Sequence, residues 1–359
     1  MLTRTFGAST FEAGLTVTAP TVAVAIFAPF IGRLADRLGF RRVIVLSAWT
    51  LTLATALAAT SRGLHQLIFW RFVQGLATPG IFASTVAYIH EVWPPSHAGR
   101  ATAAYMTGTI LGGFTGRAVS GLVAADVSWP AAFVALAIIT GGVAATLTKW
   151  LPPEPAKPPG HGAKPGRGSF AHLVRNRLLI ATCFVGFSVL FTQVAMFTYV
   201  TFHLAAPPYS LSTVALGWLF VVYLVGAVVT PFAGRWIDAY GHRTGIASAM
   251  AIGGAGALLT LTPWLPAIVA GLALCATGVF TAQATTSSYI GAVTTQDRAL
   301  AVGMYSTFYY AGGSVGGALP SMFWVSGGWT ACVLLVVMVQ LVGAAIAFTQ
   351  WAPAPDAVL

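Results

Sequence analysis

Charge is scarce in this sequence: 7% of its 359 residues are Asp, Glu, Lys or Arg, and eight are acidic. A soluble globule of that length carries several times as much charge to keep its surface wet, so a soluble protein is excluded. Cysteine is nearly as rare. Cys183, Cys275 and Cys332 all fall inside apolar runs without the spacing of a disulfide or metal site, and they read as small packing residues. No apolar run holds a Ser/His/Asp set, paired carboxylates or metal-spaced His and Cys, so an enzyme is not expected, nor any cofactor or metal. Period-two segments of about ten residues, the mark of a membrane barrel, are missing as well.

What the chain does have is long apolar runs, at 57% hydrophobic residues and a mean hydropathy of +0.81. Windows of about 18 or more apolar residues fall at 13–31, 43–60, 66–89, 100–124, 130–148, 178–202, 213–233, 244–263, 267–290, 299–324 and 329–349. Backbone amides in hydrocarbon must bond within their own segment, so all eleven are expected to be helices. The fold class is all-α, a polytopic membrane protein whose partner is the lipid bilayer. Met1 to Glu12, short and polar, reads as an external loop rather than a cleavable leader.

A formal charge of +10 invites a nucleic-acid reading. The placement of the basic residues argues against it. Arg33, Arg37, Arg41, Arg42, Arg100, Lys149, Lys157, Lys164, Arg167, Arg175, Arg177, Arg235, Arg243 and Arg298 sit at connections of one parity; the other parity holds Arg4 and Arg62. The positive-inside rule then places the central linker and the C-terminus in the cytoplasm. The abundance of alanine, glycine and arginine suggests a bacterial inner membrane.

Two stretches repeat. Gly32, Arg33, Asp36, Gly39 and Arg41 recur as Gly234, Arg235, Asp238, Gly241 and Arg243, each 202 positions later. Tyr105, Gly112, Gly113, Gly116 and Trp129 recur as Tyr305, Gly312, Gly313, Gly316 and Trp329, each 200 positions on. Two halves of one plan therefore follow each other in parallel, a common way of building a transporter. The expected domains are a helical bundle over 1–149, a Pro/Gly-rich linker over 150–177 and a second bundle over 178–359, with five spans and then six. The span at 178–202 has its counterpart before Met1, so a first helix is expected upstream of the sequence.

The turn Gly32 to Arg42 resembles the cytoplasmic signature of the major facilitator superfamily, and Leu67-…-Arg71-Phe72-Val73-Gln74-Gly75 resembles the fourth-helix signature of its drug:proton antiporters. The run Ala87 to Pro94, followed by Gly112-Gly113-Phe114-…-Gly116-Arg117, is similar more narrowly to the acriflavin-sensitivity efflux branch. The resemblance implies a two-bundle helical fold working by alternating access. It also implies a latch at the turns, formed by Gly32, Asp36, Arg37, Gly39, Arg41 and Arg42 and by Gly234, Asp238, Gly241 and Arg243. In such a turn, Asp36 can meet a helix N-terminus or pair with Arg37 or Arg41, and Gly32 and Gly39 let backbones approach closely.

Within the spans, Arg71 lies about 9 Å along its segment at 1.5 Å per residue, where a guanidinium must face a cavity or a partner. Gln74, Thr78 and Thr85 follow at helical spacing, giving one polar stripe. Arg117 stands where drug antiporters of this superfamily usually carry the proline of a glycine-proline pair. Gly108, Gly112, Gly116 and Ser120 form a small-residue stripe beside it, of the kind that permits close helix contact. In the second half Gln193, Tyr199, Gln283, Tyr289, Tyr305 and Tyr309 could line a cavity for an amphipathic solute, or could equally serve packing between helices. All eight acids fall in loops, the linker, the tail or at helix ends, leaving Glu12, His90 or a group upstream as the expected proton carrier. The expected function is proton-coupled export of small organic or drug-like compounds by a monomer. The alternatives are an organic-anion or metabolite carrier using the two arginines, and a truncated protein that does not transport.

Overall fold

Hydrocarbon offers a backbone amide no partner, so an apolar segment there closes on itself as a helix. A computed structural model of the chain shows this throughout; the structure describes residues 5–154, 175–293 and 298–351. Among the described residues there are eleven α-helices and no strand: α1 (Thr10–Leu38), α2 (Phe40–Ala59), α3 (Leu64–Val92), α4 (Pro95–Asp126), α5 (Trp129–Trp150), α6 (Arg177–Ala205), α7 (Thr213–Trp218), α8 (Tyr223–Leu259), α9 (Leu265–Val293), α10 (Arg298–Ala318) and α11 (Pro320–Gln350). Each of the eleven expected windows lies on helix. Among the described residues, seven segments qualify by length and composition as membrane spans, in α1, α2, α3, α5, α6, α9 and α11.

The differences from expectation have local causes. The window at 213–233 is not one helix: α7 passes through a 3-10 turn at Leu219–Val222 into α8. The window at 299–324 is interrupted at Leu319, because Pro320 has no N–H to continue the ladder. Residues 1–12 are not all loop, since Ser9 caps α1 and Glu12 closes the capping box by accepting from the Ser9 backbone at 2.8 Å. Most of the expected linker, 155–174, and the tail from Ala352 lie outside the described residues.

The chain forms two compact units, Met1–Ser169 and Phe170–Leu359. In the first, α1 and α2 both pack on α3, α2 also packs on α5, and α5 on α4. In the second, α9 packs on α8, α11 on α8, and α10 on α6. The pairs α1–α3 and α2–α3 thus correspond to the two halves of α8 against α9, and α2–α5 to α8–α11.

The sharpest trace of the repeat is in the backbone. Gly39 alone separates α1 from α2, at φ 87°, and Gly241 breaks α8 at φ 80° and ψ 162°. A side chain is strained in that region by about 1–3 kcal/mol. Gly241→Ala is therefore expected to lower the melting temperature of the purified protein, and an unchanged value would mean the break at 241 is not required.

The second repeated stretch packs differently in its two copies. A Cβ on Gly312 would lie 2.1 Å from the Phe187 carbonyl oxygen and one on Gly316 2.6 Å from that of Phe191, so α10 lies backbone to backbone against α6. At Gly108, Gly112 and Gly116 no described atom lies within 4 Å of such a Cβ. Among the described residues, the close helix contact expected of this stripe is therefore made by its second copy and not by its first.

Candidate functional site

Arg71 stands two turns into α3, partly buried, and together with Gln74 its side chain links three helices. Its Nε donates to the Thr16 carbonyl of α1 at 3.0 Å and its Nη1 to Gln74 Oε1 at 2.7 Å. Gln74 Nε2 in turn donates to Thr55 Oγ1 of α2 at 2.9 Å. Thr55 and Thr78 return their own hydroxyls to their helices, at Leu51 and Gln74. The contact with α1 is possible because α3 carries glycine at 75, one turn from Arg71: a Cβ there would meet the Pro20 carbonyl at 2.2 Å. The stripe Arg71, Gln74, Thr78 was readable from helical spacing. Thr16 and Thr55 were not, because they sit on other helices.

Arg117 projects from α4 and is exposed. Its Nη1 donates to the Gly113 carbonyl of its own helix at 3.0 Å. Glu12, a proton-carrier candidate, is engaged by the Ser9 amide and hydroxyl. The side chain of His90, the other candidate, lies outside the described residues.

In the second unit the expected cavity residues divide. Tyr305 and Tyr309 stack with centroids 5.7 Å apart, and the Tyr305 hydroxyl shares a hydrogen bond with Thr286 Oγ1 at 2.9 Å. Tyr199 is fully buried and donates to the Gly317 carbonyl at 3.0 Å, which makes it a tie between α6 and α10. Tyr289 stacks on Trp351 at 4.1 Å and so belongs to the second repeated turn. Gln193 and Gln283 are half-buried on α6 and α9.

At the first turn, Arg41 binds the end of α5. Its Nε donates to the Leu151 carbonyl at 2.8 Å, its Nη2 to that of Thr148 at 3.0 Å, and its backbone N–H to the Glu154 carboxylate. Tyr88 donates to the Pro152 carbonyl at 2.7 Å. The second turn follows the same plan with different chemistry. The Arg243 guanidinium lies 4.7 Å from the Phe348 ring centre, and Tyr289, on Trp351, also meets His242, whose Nε2 is 3.1 Å from Ser288 Oγ. Positions 41 and 243 thus contact 148 and 348, which keeps the repeat in its contacts.

Gly32 is exposed with no described atom within 4 Å of a Cβ, so the close approach expected of it is not made; at Gly39 the requirement is the backbone angle. Arg37 and Arg42 are exposed. The side chains of Asp36 and Asp238 and the surroundings of Gly234 lie outside the described residues. Glu154 was missed, although it follows the fifth span by a few residues. A carboxylate at the start of a helix contributes about 0.3–1 kcal/mol. Glu154→Gln, which keeps an oxygen but loses the charge, is expected to lower the melting temperature less than Glu154→Ala; wild-type values in both would show that the contact holds nothing.

Two bundles of apolar helices that repeat one plan along the chain, each with the same glycine-broken turn and one with a charged residue held where three helices meet, define a polytopic membrane carrier. The profile of the family described as Major Facilitator Superfamily matches residues 1–214 and again 194–358, and the chain belongs to that superfamily. It is 31% identical over 342 residues to the uncharacterized MFS-type transporter YybF of Bacillus subtilis (strain 168), covering 95% of this chain and 84% of that protein. It is 28% identical over 348 residues to the inner membrane transport protein YnfM of Escherichia coli (strain K12), covering 96% and 84%. The crystal structure of the human organic anion transporter MFSD10 (TETRAN) is similar in fold, with a TM-score of 0.72 at 19% identity over 93% of this chain and 83% of that one.

Proposed function

We infer that this chain is a secondary active transporter that exports small amphipathic organic compounds from a bacterial cell through the inner membrane, by alternating access and driven by proton entry. The observation that carries the reading is Arg71. A guanidinium inside a membrane helix is unfavourable by about 2.5–3.5 kcal/mol on insertion scales. Here it bonds α1 and Gln74 of its own helix through neutral acceptors, and Gln74 carries the link on to α2, which suits a group waiting for a solute.

The two turns fit the same reading. Each is a glycine-broken helix junction bound to the last helix of its unit, through Arg41 in one and Arg243 in the other. We assign them, with Asp36 and Asp238, to holding one of two packings that the transport cycle exchanges. Uptake of small organic compounds into proteoliposomes holding the protein, with and without an imposed pH gradient, tests the proposal. Gradient-dependent uptake above that of empty liposomes is expected. Uptake without dependence on the gradient would remove proton coupling, and no uptake of any compound would remove transport.

A further inference from the structure

We propose that the tail after α11 closes the second turn as the segment after α5 closes the first, with the Asp356 carboxylate accepting from the backbone N–H of Arg243. The contact lies within the second unit and does not rest on the carrier reading.

In the first unit the closing group is Glu154. Its carboxylate accepts from the Arg41 N–H at the start of α2 and lies 3.4 Å from where a Cβ on Gly39 would stand. The first N–H groups of a helix have no acceptor within it, and a carboxylate there also meets the positive end of the helix dipole. Glu154 answers both needs.

The second turn has the same needs. α8 restarts after Gly241 as α2 starts after Gly39, which puts Arg243 in the place of Arg41. The sequence supplies an acid in register: Arg41 and Glu154 are 113 positions apart, and so are Arg243 and Asp356 (356 − 243). The flanks agree as well. A tryptophan, and a proline two residues after it, precede each acid: Trp150 and Pro152 before Glu154, Trp351 and Pro353 before Asp356.

The match can be followed as far as Trp351, the last described residue. The chain leaves both helices extended, at ψ 117° for Leu151 after α5 and 138° for Trp351 after α11. Trp351 stacks on Tyr289 at 4.1 Å, and the Tyr289 ring lies 5.2 Å from that of His242, the neighbour of Arg243. The tail therefore sets out one ring away from the turn. Asp356 follows five residues on, a reach of up to about 18 Å.

Arg243 also has a donor to give. The Nε of Arg41 bonds the Leu151 carbonyl, whereas the Nε of Arg243 is buried and donates to no described residue. An acid arriving at the N–H from the tail would meet this group too. Asp238 is not the equivalent acid, because the first turn has its own copy at Asp36 and the Arg41 amide is still taken by Glu154.

Hydrogen exchange of the full chain in detergent, read by mass spectrometry on peptides spanning 240–246 and 38–44, tests the assignment. Asp356→Ala is expected to speed exchange at 240–246 by about two- to fivefold and to leave 38–44 as it is. Glu154→Ala is expected to do the opposite, and Asp356→Asn, which keeps an oxygen without the charge, to fall between wild type and Asp356→Ala. Unchanged exchange at 240–246 in Asp356→Ala would overturn the proposal, as would an equal rise in both peptides, which marks general loosening. A response at 240–246 to Asp238→Asn and none to Asp356→Ala would give the amide to Asp238. No response at 38–44 to Glu154→Ala would remove the template and the proposal with it.

Discussion

Arg71→Ala is expected to abolish solute uptake in proteoliposomes while leaving a folded protein. Its effect on stability is a difference between two terms of similar size. Losing the bonds to Thr16 and Gln74 removes charge-assisted contacts of about 1.5–3 kcal/mol each, while removing a guanidinium from a membrane helix recovers about 2.5–3.5 kcal/mol. On the proposed reading binding has no such compensation, because the group assigned to meet the solute is gone. Arg71→Lys keeps the charge but not the fork, so it cannot bond α1 and Gln74 in one plane. An intermediate rate is expected for it. Initial uptake rates, read beside melting temperatures in detergent, separate the two effects. Wild-type uptake in Arg71→Ala would leave this residue without a role in transport.

Gly75→Ala is expected to do the reverse, removing activity by removing the fold around it. The new Cβ would sit 2.2 Å from the Pro20 carbonyl oxygen, 2.6 Å from the Pro20 Cα and 2.7 Å from the Ala23 Cβ. The first two are backbone atoms, so no rotamer change relieves the clash, and α1 must move off α3. Overpacking of this kind is unfavourable by about 1–3 kcal/mol or more. The bond from Arg71 to Thr16, one turn away, would lengthen with it. A large fall in melting temperature and in uptake is expected, whereas Gly32→Ala, with open space around the position, should leave the melting temperature as it is. Equal melting temperatures for the two variants would contradict the packing of α1 on α3.

The helices and their order were legible because hydropathy and backbone chemistry act within one segment: an apolar run in hydrocarbon has one way to satisfy its amides. The repeat was legible for the same reason. Gly39 and Gly241 lie 202 positions apart and both adopt a positive φ, a local property of the chain.

The site was legible only along α3. Arg71, Gln74 and Thr78 share a helix face, and a period of 3.6 residues exposes that. Thr16 and Thr55 were hidden because a threonine in a helix commonly bonds its own preceding turn, as Thr50, Thr52 and Thr140 do here. Nothing in the local pattern marks the ones that also meet another helix. The sequence left the tyrosines open between cavity lining and packing for a related reason. A phenol that reaches a backbone carbonyl, like Tyr199 on Gly317, has the same local sequence signature as one that faces a cavity.

Composition and periodicity alone determined that this is an all-helical membrane protein of two similar halves, with an arginine inside its third expected apolar window, on α3. Those properties depend on residues close together in the chain. Tertiary structure decided which groups complete the site and hold the turns: Thr16 and Thr55 around Arg71 and Gln74, and Glu154, Leu151 and Thr148 around Arg41. These contacts join positions from 19 to 113 residues apart. Their energy depends on distances of a few tenths of an ångström, which only the packing of one helix against another sets.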